Sequence, residues 1–156
     1  MATKKKTAKK ARSKKAPAKK KAAAKSDSLN LSSISPSFTV NDLPRSLAWY
    51  RDVLGFKVQE RYEREGNLVG VGLQAGKTFL MLGQDDWQKG RDRKKGEGHR
   101  IYCMTTQDVD AIANRIKSAG GTLEREPQDQ PWGMRDFSLT DPDGFKITIG
   151  KELKKR

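Results

Sequence analysis

The sequence predicts an α+β fold of two tandem βαβββ modules whose strands form a cup-shaped mixed sheet. Three observations predict it. From residue 34 onward, short apolar runs alternate with turn residues. Only two segments carry helical periodicity, and each follows a single strand-like run. The strand–helix opening then recurs at one offset, with Asp42 matching Asp108 and Gly55 matching Gly121, both 66 residues apart.

The first module spans about residues 34–84. Residues 34–40 read as a strand. Asn41 or Asp42 caps the following helix, and Pro44 suits its first turn. Leu43, Leu47, Tyr50 and Leu54 recur at spacings of four, three and four, which places them on one helical face. Gly55 supplies the stop. Residues 56–62, 68–73 and 78–82 read as strands, divided by turns at Gly66-Asn67 and Ala75-Gly76-Lys77.

The second module, about residues 99–151, repeats the order. Residues 101–106 read as a strand, and Asp108 caps a helix with Val109, Ile112, Ile116 and Ala119 on one face. Gly120-Gly121 stops it. Strand-like runs follow at residues 122–126, 134–140 and 145–149, the last preceded by the turn Asp141-Pro142-Asp143-Gly144. Each module is a small sheet with a helix on one face, which leaves the other face to be covered or used.

Charge separates the chain into two parts. Of 33 Lys and Arg, residues 1–26 hold 12 and no acid, so 21 basic groups stand against all 19 acidic ones in the rest. The basicity belongs to a tail and linker, residues 1–33, and residues 34–153 form a nearly neutral domain. After Met1 the first 26 residues contain no large apolar side chain, so nothing offsets the entropy of ordering them. Their composition resembles linker-histone tails, which neutralise phosphates without reading bases. Lys4, Lys5, Lys6, Lys9, Lys10, Arg12, Lys14, Lys15, Lys19, Lys20, Lys21 and Lys25 are the candidate contacts to DNA or RNA. No run approaches the ~20 apolar residues of a membrane span. The charged N-terminus lacks the apolar stretch of a secretory signal. A lone Cys103 excludes an internal disulfide and suits a reducing compartment. The expected location is cytoplasmic, with nucleoid association through the tail.

The domain resembles the vicinal oxygen chelate superfamily, the glyoxalase/bleomycin resistance protein/dioxygenase group. The resemblance rests on Val40-Asn41-Asp42 leading into residues 46–56 (SLAWYRDVLGF), on Asp108-Val109-Asp110-Ala111, on residues 131–137 (PWGMRDF) and on Asp141-Pro142-Asp143-Gly144-Phe145. It covers about residues 34–153, and the Trp-Gly-x-Arg-Asp-Phe run is similar to the antibiotic-binding branch. The resemblance implies a divalent metal held by His, Glu or Gln from the first and fourth strands of each module. Those places fall at Ser35, Met81, Ile101 and Thr148, none of them a normal ligand for such an ion. No metal and no cofactor is therefore expected. The single histidine, His99, excludes a two-histidine iron site and is the one weak catalytic candidate.

With the same registers, the cup is lined by Ser35, Ser37, Thr39, Phe79, Met81, Ile101, Cys103, Thr105, Lys146 and Thr148, with Trp132 at its rim. This mixed surface suits a partly apolar organic molecule. Arg135 reads either as an anion anchor or as an ion-pair partner of a nearby Asp. Asp141 and Asp143 read as turn residues, and residues 84–98 as a solvated loop. Two classes of function remain for the domain. One is a metal-free small-molecule-binding protein that sequesters a drug or metabolite. The other is a glyoxalase-like lyase or isomerase with a non-standard or absent metal site. The resemblance also implies a homodimer. For the tail, the full chain should bind duplex DNA without sequence preference. If it neutralises about six to ten phosphates, affinity should fall roughly 10³–10⁵-fold between about 50 and 200 mM salt. Salt-insensitive retention, or equal binding by residues 27–156 alone, would refute this.

Overall fold

The computed structural model describes Leu29 and residues 31–154. The twelve tail cations lie outside the described residues. All the elements below belong to the unit that begins at Ser33.

Strand β1 (Ser37–Val40) leads into helix α1 (Leu43–Ala48), which continues as a π-helical turn (Trp49–Val53). Strands β2 (Lys57–Arg64), β3 (Asn67–Ala75) and β4 (Thr78–Gln84) complete the first module. The second has β5 (Arg100–Met104), α2 (Val109–Ser118), β6 (Leu123–Gln130), β7 (Met134–Thr140) and β8 (Lys146–Glu152). The sheets have the orders β1-β4-β3-β2 and β5-β8-β7-β6. In each, the first strand lies parallel to the fourth and the other pairs are antiparallel. The α+β fold of two βαβββ modules is thus the observed one. No helix among the described residues is long and apolar enough to cross a membrane.

Local chemistry accounts for both helices. Asp42 caps α1 by accepting from the Arg45 amide at 3.0 Å, while the Asn41 amide donates to Asp143 Oδ1 at 2.7 Å. The expected face of α1 is buried, with Leu43 and Tyr50 at 0 % exposure. Asp108 caps α2 through the Ala111 amide at 3.1 Å. On α2, Val109 and Ile116 are buried as expected, but Ala119 is the exposed C-cap and Ala113 fills its place in the core.

One core runs through both modules. Phe38 of β1 stacks on Phe145 with ring centroids 4.0 Å apart. The Arg115 guanidinium donates to the carbonyls of Val53 and Leu54, where the first helix ends. A Cβ on Gly121 would stand 2.7 Å from Val53 Cγ1 and 2.6 Å from Ile116 Cγ2, so this position needs glycine for close approach. The residues 141–144 turn supplies the polar joint. Asp141 Oδ1 accepts from the amides of Asp143 and Phe145, and its Oδ2 accepts from the Tyr50 hydroxyl at 2.9 Å. Ser46 Oγ donates to Asp143 Oδ2 at 2.7 Å. Burial, followed by the charge of Asp141, pushes the Tyr50 hydroxyl well above its ordinary pKa. Tyr50→Phe keeps the ring and deletes the donor to a buried carboxylate. It should lower unfolding free energy by about 1.5–3 kcal/mol in a urea titration, and no change would remove this joint from the account.

Candidate functional site

Each sheet has a helix-covered face and an open face. Phe38, Val40, Val71, Leu73, Leu80 and Leu82 lie against the helices of the first module, all at most 6 % exposed. Strand alternation therefore sends Ser37, Thr39, Phe79 and Met81 to the open face. Glycines pave that face. A Cβ on Gly72 would meet the Phe79 ring at 2.7 Å, so the ring lies flat on the strand. Tyr62 packs beside Gly70 and donates to Glu60. Nothing stands within 4 Å of a Cβ built on Gly83, which leaves an unfilled floor.

In the second sheet the structure corrects the expected facing. Ile101 and Cys103 pack against the core, and Arg100, Tyr102 and Met104 take the open face. The cause is one extra residue. Ser37 is the cross-strand partner of Met81, and Tyr102 is the partner of Thr148. The β1-to-β5 offset is therefore 65, against 66 between the caps at Asp42 and Asp108. The longer β5–α2 connection is held by the Gln107 amide donating to Thr105 Oγ1 at 3.1 Å. A one-residue slip exchanges the faces of the whole strand. Cys103 is left as a thiol whose pKa burial pushes up, which disfavours the reactive thiolate.

The open face of the second sheet centres on Asp136, which has no exposed surface. It accepts from Tyr102 Oη at 2.7 Å, from Gln130 Nε2 at 2.9 Å and from the Arg125 guanidinium. Burial first, then Asp136 itself, push the Tyr102 hydroxyl up to about 12. Arg125 Nε is buried without a hydrogen-bond partner. Beside this cluster, Arg100 Nη1 donates to Thr148 Oγ1 at 3.0 Å. Sequence reasoning missed Arg100, Tyr102, Arg125 and Asp136. The usable signal was the alternation back from Phe137 and Leu139, which turns Asp136 outward and Arg135 inward. Arg135 is an ion-pair partner, bonding Asp110 and Asp129 at 2.7 Å each.

The remaining candidates are scattered. Ser35 and Ser37 are exposed, and Trp132, 65 % exposed, stands in the β6–β7 turn. Lys146 is exposed and opposite Arg100 across the strand pair. His99 is exposed, with Nδ1 2.8 Å from the Glu97 carbonyl. That carbonyl only accepts, so Nδ1 carries the proton and Nε2 is the basic nitrogen of the neutral ring.

The donors present do not fit a divalent metal. Ser35 stands two residues before Ser37, and the equivalent residue two before Tyr102 is Arg100 rather than Ile101. The four places therefore hold a hydroxyl, the Met81 thioether, a guanidinium and the Thr148 hydroxyl. A fixed positive charge repels a cation. Among the described residues, no three His, Cys, Asp or Glu side chains come together.

The loop of residues 84–98 is mostly exposed, as expected, but it is clamped at Asp85. Asp85, 4 % exposed, accepts from Arg93 at 2.7 Å, from the Trp87 amide at 3.0 Å and from Lys95. Arg91 and Lys95 lie 4.6 and 5.4 Å from the Trp87 ring centre. A Cβ on Gly96 would fall 2.0 Å from the Gly144 carbonyl oxygen, so the loop lies directly on the residues 141–144 turn. Lys95 foremost, then the Trp87 amide and Arg93, hold the Asp85 carboxyl well below the usual range. A depressed folded pKa gives stability that is present above the unfolded value of about 4 and lost as pH falls through the folded one. Asp85→Asn should therefore lower Tm at neutral pH, with the gap narrowing below about pH 4. A gap constant with pH would show that Asp85 contributes through shape alone.

The family model of the Glyoxalase/Bleomycin resistance protein/Dioxygenase superfamily matches residues 32–149. A probable lactoylglutathione lyase of Synechocystis sp. is 26 % identical over 123 residues, 75 % of this chain and 92 % of its own. Among solved structures, TioX from Micromonospora sp. ML1 superposes with a TM-score of 0.65 at 23 % identity, covering 78 % of this chain and 99 % of its own. TnmS3, an antibiotic binding protein from Streptomyces sp. CB03234, gives 0.62 at 22 % identity, covering 80 % and 99 %.

Proposed function

We propose that this chain, which belongs to the Glyoxalase/Bleomycin resistance protein/Dioxygenase superfamily, binds a small organic molecule on its open sheet faces without a metal. The observation that carries the reading is the donor set at Ser35, Met81, Arg100 and Thr148. It offers apolar contact and hydrogen bonds, and it repels a cation. Phe79, Met81 and the Gly83 floor supply the apolar surface, and Arg100, held by Thr148, and Lys146 supply the polar anchors. A drug or metabolite is the class of ligand, a reading supported by the antibiotic-binding neighbour in fold.

Two further parts belong to this reading. The chain forms a homodimer. Among the described residues β1, β2, β5 and β6 each pair with one neighbour, which leaves four unpaired strand edges. Tyr62, Tyr102 and Met104, 41–57 % exposed on the open faces, are apolar surface for a second copy to shield. The lysine-rich tail holds the protein on nucleic acid through phosphates alone.

Lactoylglutathione lyase activity is the second reading, favoured by the relatives of that name. It requires a proton-transfer group, and the open face offers few. Asp136 is shielded by three donors, which leaves Lys146 and His99 Nε2.

Native mass spectrometry of the full chain decides between them. The expected species is twice the 17.5 kDa chain, releasing an organic molecule on activation and holding no metal. Gly83→Leu fills the floor without backbone strain, and should release the molecule while the dimer remains. One divalent ion per chain would overturn the metal-free reading. Lyase turnover that survives chelator would favour the second reading.

A further inference from the structure

A cavity of about 410 Å³ lies where β5 and β8 begin, lined by Arg100, Lys146, His99 and the glycines at 96, 98 and 144. Its charges are unbalanced. Lys95 also lines it, but its ammonium is spent on buried Asp85. Glu97 is exposed, with a carboxylate 3.7 Å from Lys94. Among the described residues, Arg100 and Lys146 have no carboxylate within ion-pair distance.

We infer that Arg100 and Lys146 form an oxyanion site, so that the molecule held on the open face carries a carboxylate or a phosphate at the place expected for a metal. This rests on the small-molecule reading above and adds the chemical class. Thr148, itself 2 % exposed, takes one guanidinium hydrogen through Nη1 and thereby fixes the plane of the group. Four of the five guanidinium N–H donors remain, a fork that matches two oxygens of a carboxylate or a phosphate. Lys146, one strand across, adds a point charge. Gly98 has nothing within 4 Å of a Cβ position, so a ligand can approach the backbone amides closely. Tyr102 is next on the same face of β5, outside the cavity lining, with its hydroxyl on Asp136.

The two sources of an oxyanion separate in one experiment on the ¹⁵N-labelled full chain. Sodium benzoate, sodium phosphate and neutral benzamide are titrated at constant ionic strength, and amide shifts are followed residue by residue. This resolves the cavity from the lysine tail. The inference expects saturable shifts at Gly98, His99, Arg100 and Lys146 with at least one of the two anions. Arg100→Gln should weaken that binding tenfold or more, and Lys146→Gln, at an exposed position, severalfold. Signals of the first module should stay in place in both variants. Tighter benzoate assigns the site to a carboxylate beside an aromatic ring, and tighter phosphate assigns it to a phosphorylated ligand. Benzamide binding as tightly as benzoate, in both wild type and Arg100→Gln, would overturn the oxyanion site and leave the small-molecule reading intact. Absence of saturable shifts with either anion would overturn the site as well.

Discussion

The turn of residues 141–144 is the constraint on which the rest of the structure depends. Asp141 and Asp143 accept from the Tyr50 hydroxyl, the Ser46 hydroxyl and the Asn41 amide of the first module. Asp141 also closes the turn by accepting from the amides of Asp143 and Phe145. Phe145, set by that turn, stacks on Phe38. The strand that starts one residue later therefore has its register set by contacts with the other module. Lys146 and Thr148 follow on β8, and their cross-strand partners are Arg100 and Tyr102. Gly96 rests on the same turn, so the inter-module loop is located by it too. Placement of the candidate site and cohesion of the two modules are thus one problem with one solution.

Much of the fold was legible because it depends on local signals. The caps at Asp42 and Asp108, the stops at Gly55 and Gly120, and the helical face of Leu43, Leu47, Tyr50 and Leu54 need only the residues within a turn or two. The facing of β5 was not legible in that way. Carrying the helix offset of 66 back into the strand puts Ile101 and Cys103 in the cup, whereas the true strand offset is 65. Single-residue insertions are inexpensive in a connection and decisive for a strand, because side chains alternate with a period of two. The apolar character of Ile101 and Cys103 itself argued for the core, against the extrapolated count. Asp136 was hidden for a related reason. It sits beside Arg135, and only alternation from Phe137 tells which of the two charges turns to the open face.

In the mostly exposed loop of residues 84–98, Asp85 and Lys95 depart from what composition suggests. Its many charged residues read as solvated, since charged side chains are mostly exposed. Asp85 is buried instead, because Lys95, Arg93 and the Trp87 amide together replace its water. Isolated burial of any one of these charges would be prohibitive, and burial of the complete set is not. Completeness of a set is a property of three-dimensional placement, and a count of lysines and aspartates does not contain it.

The same distinction gives the open faces their chemistry. The first sheet exposes Phe79, Met81 and bare glycine backbone, with its acid, Glu60, engaged by Tyr62. On the second, Arg125 is bound to the buried Asp136, while Arg100 and Lys146 beside it have no carboxylate within ion-pair distance among the described residues. Asp136 draws Arg125, Tyr102 and Gln130 to itself and leaves Arg100 and Lys146 uncommitted. At the places where the family resemblance implies metal ligands, this chain has a guanidinium, Arg100, held by the Thr148 hydroxyl. Such an arrangement disfavours a metal by Coulomb repulsion and favours an anion by the same interaction with its sign reversed. In the proposed site both effects rest on one residue, Arg100, whose facing is decided by the extra residue between β5 and α2.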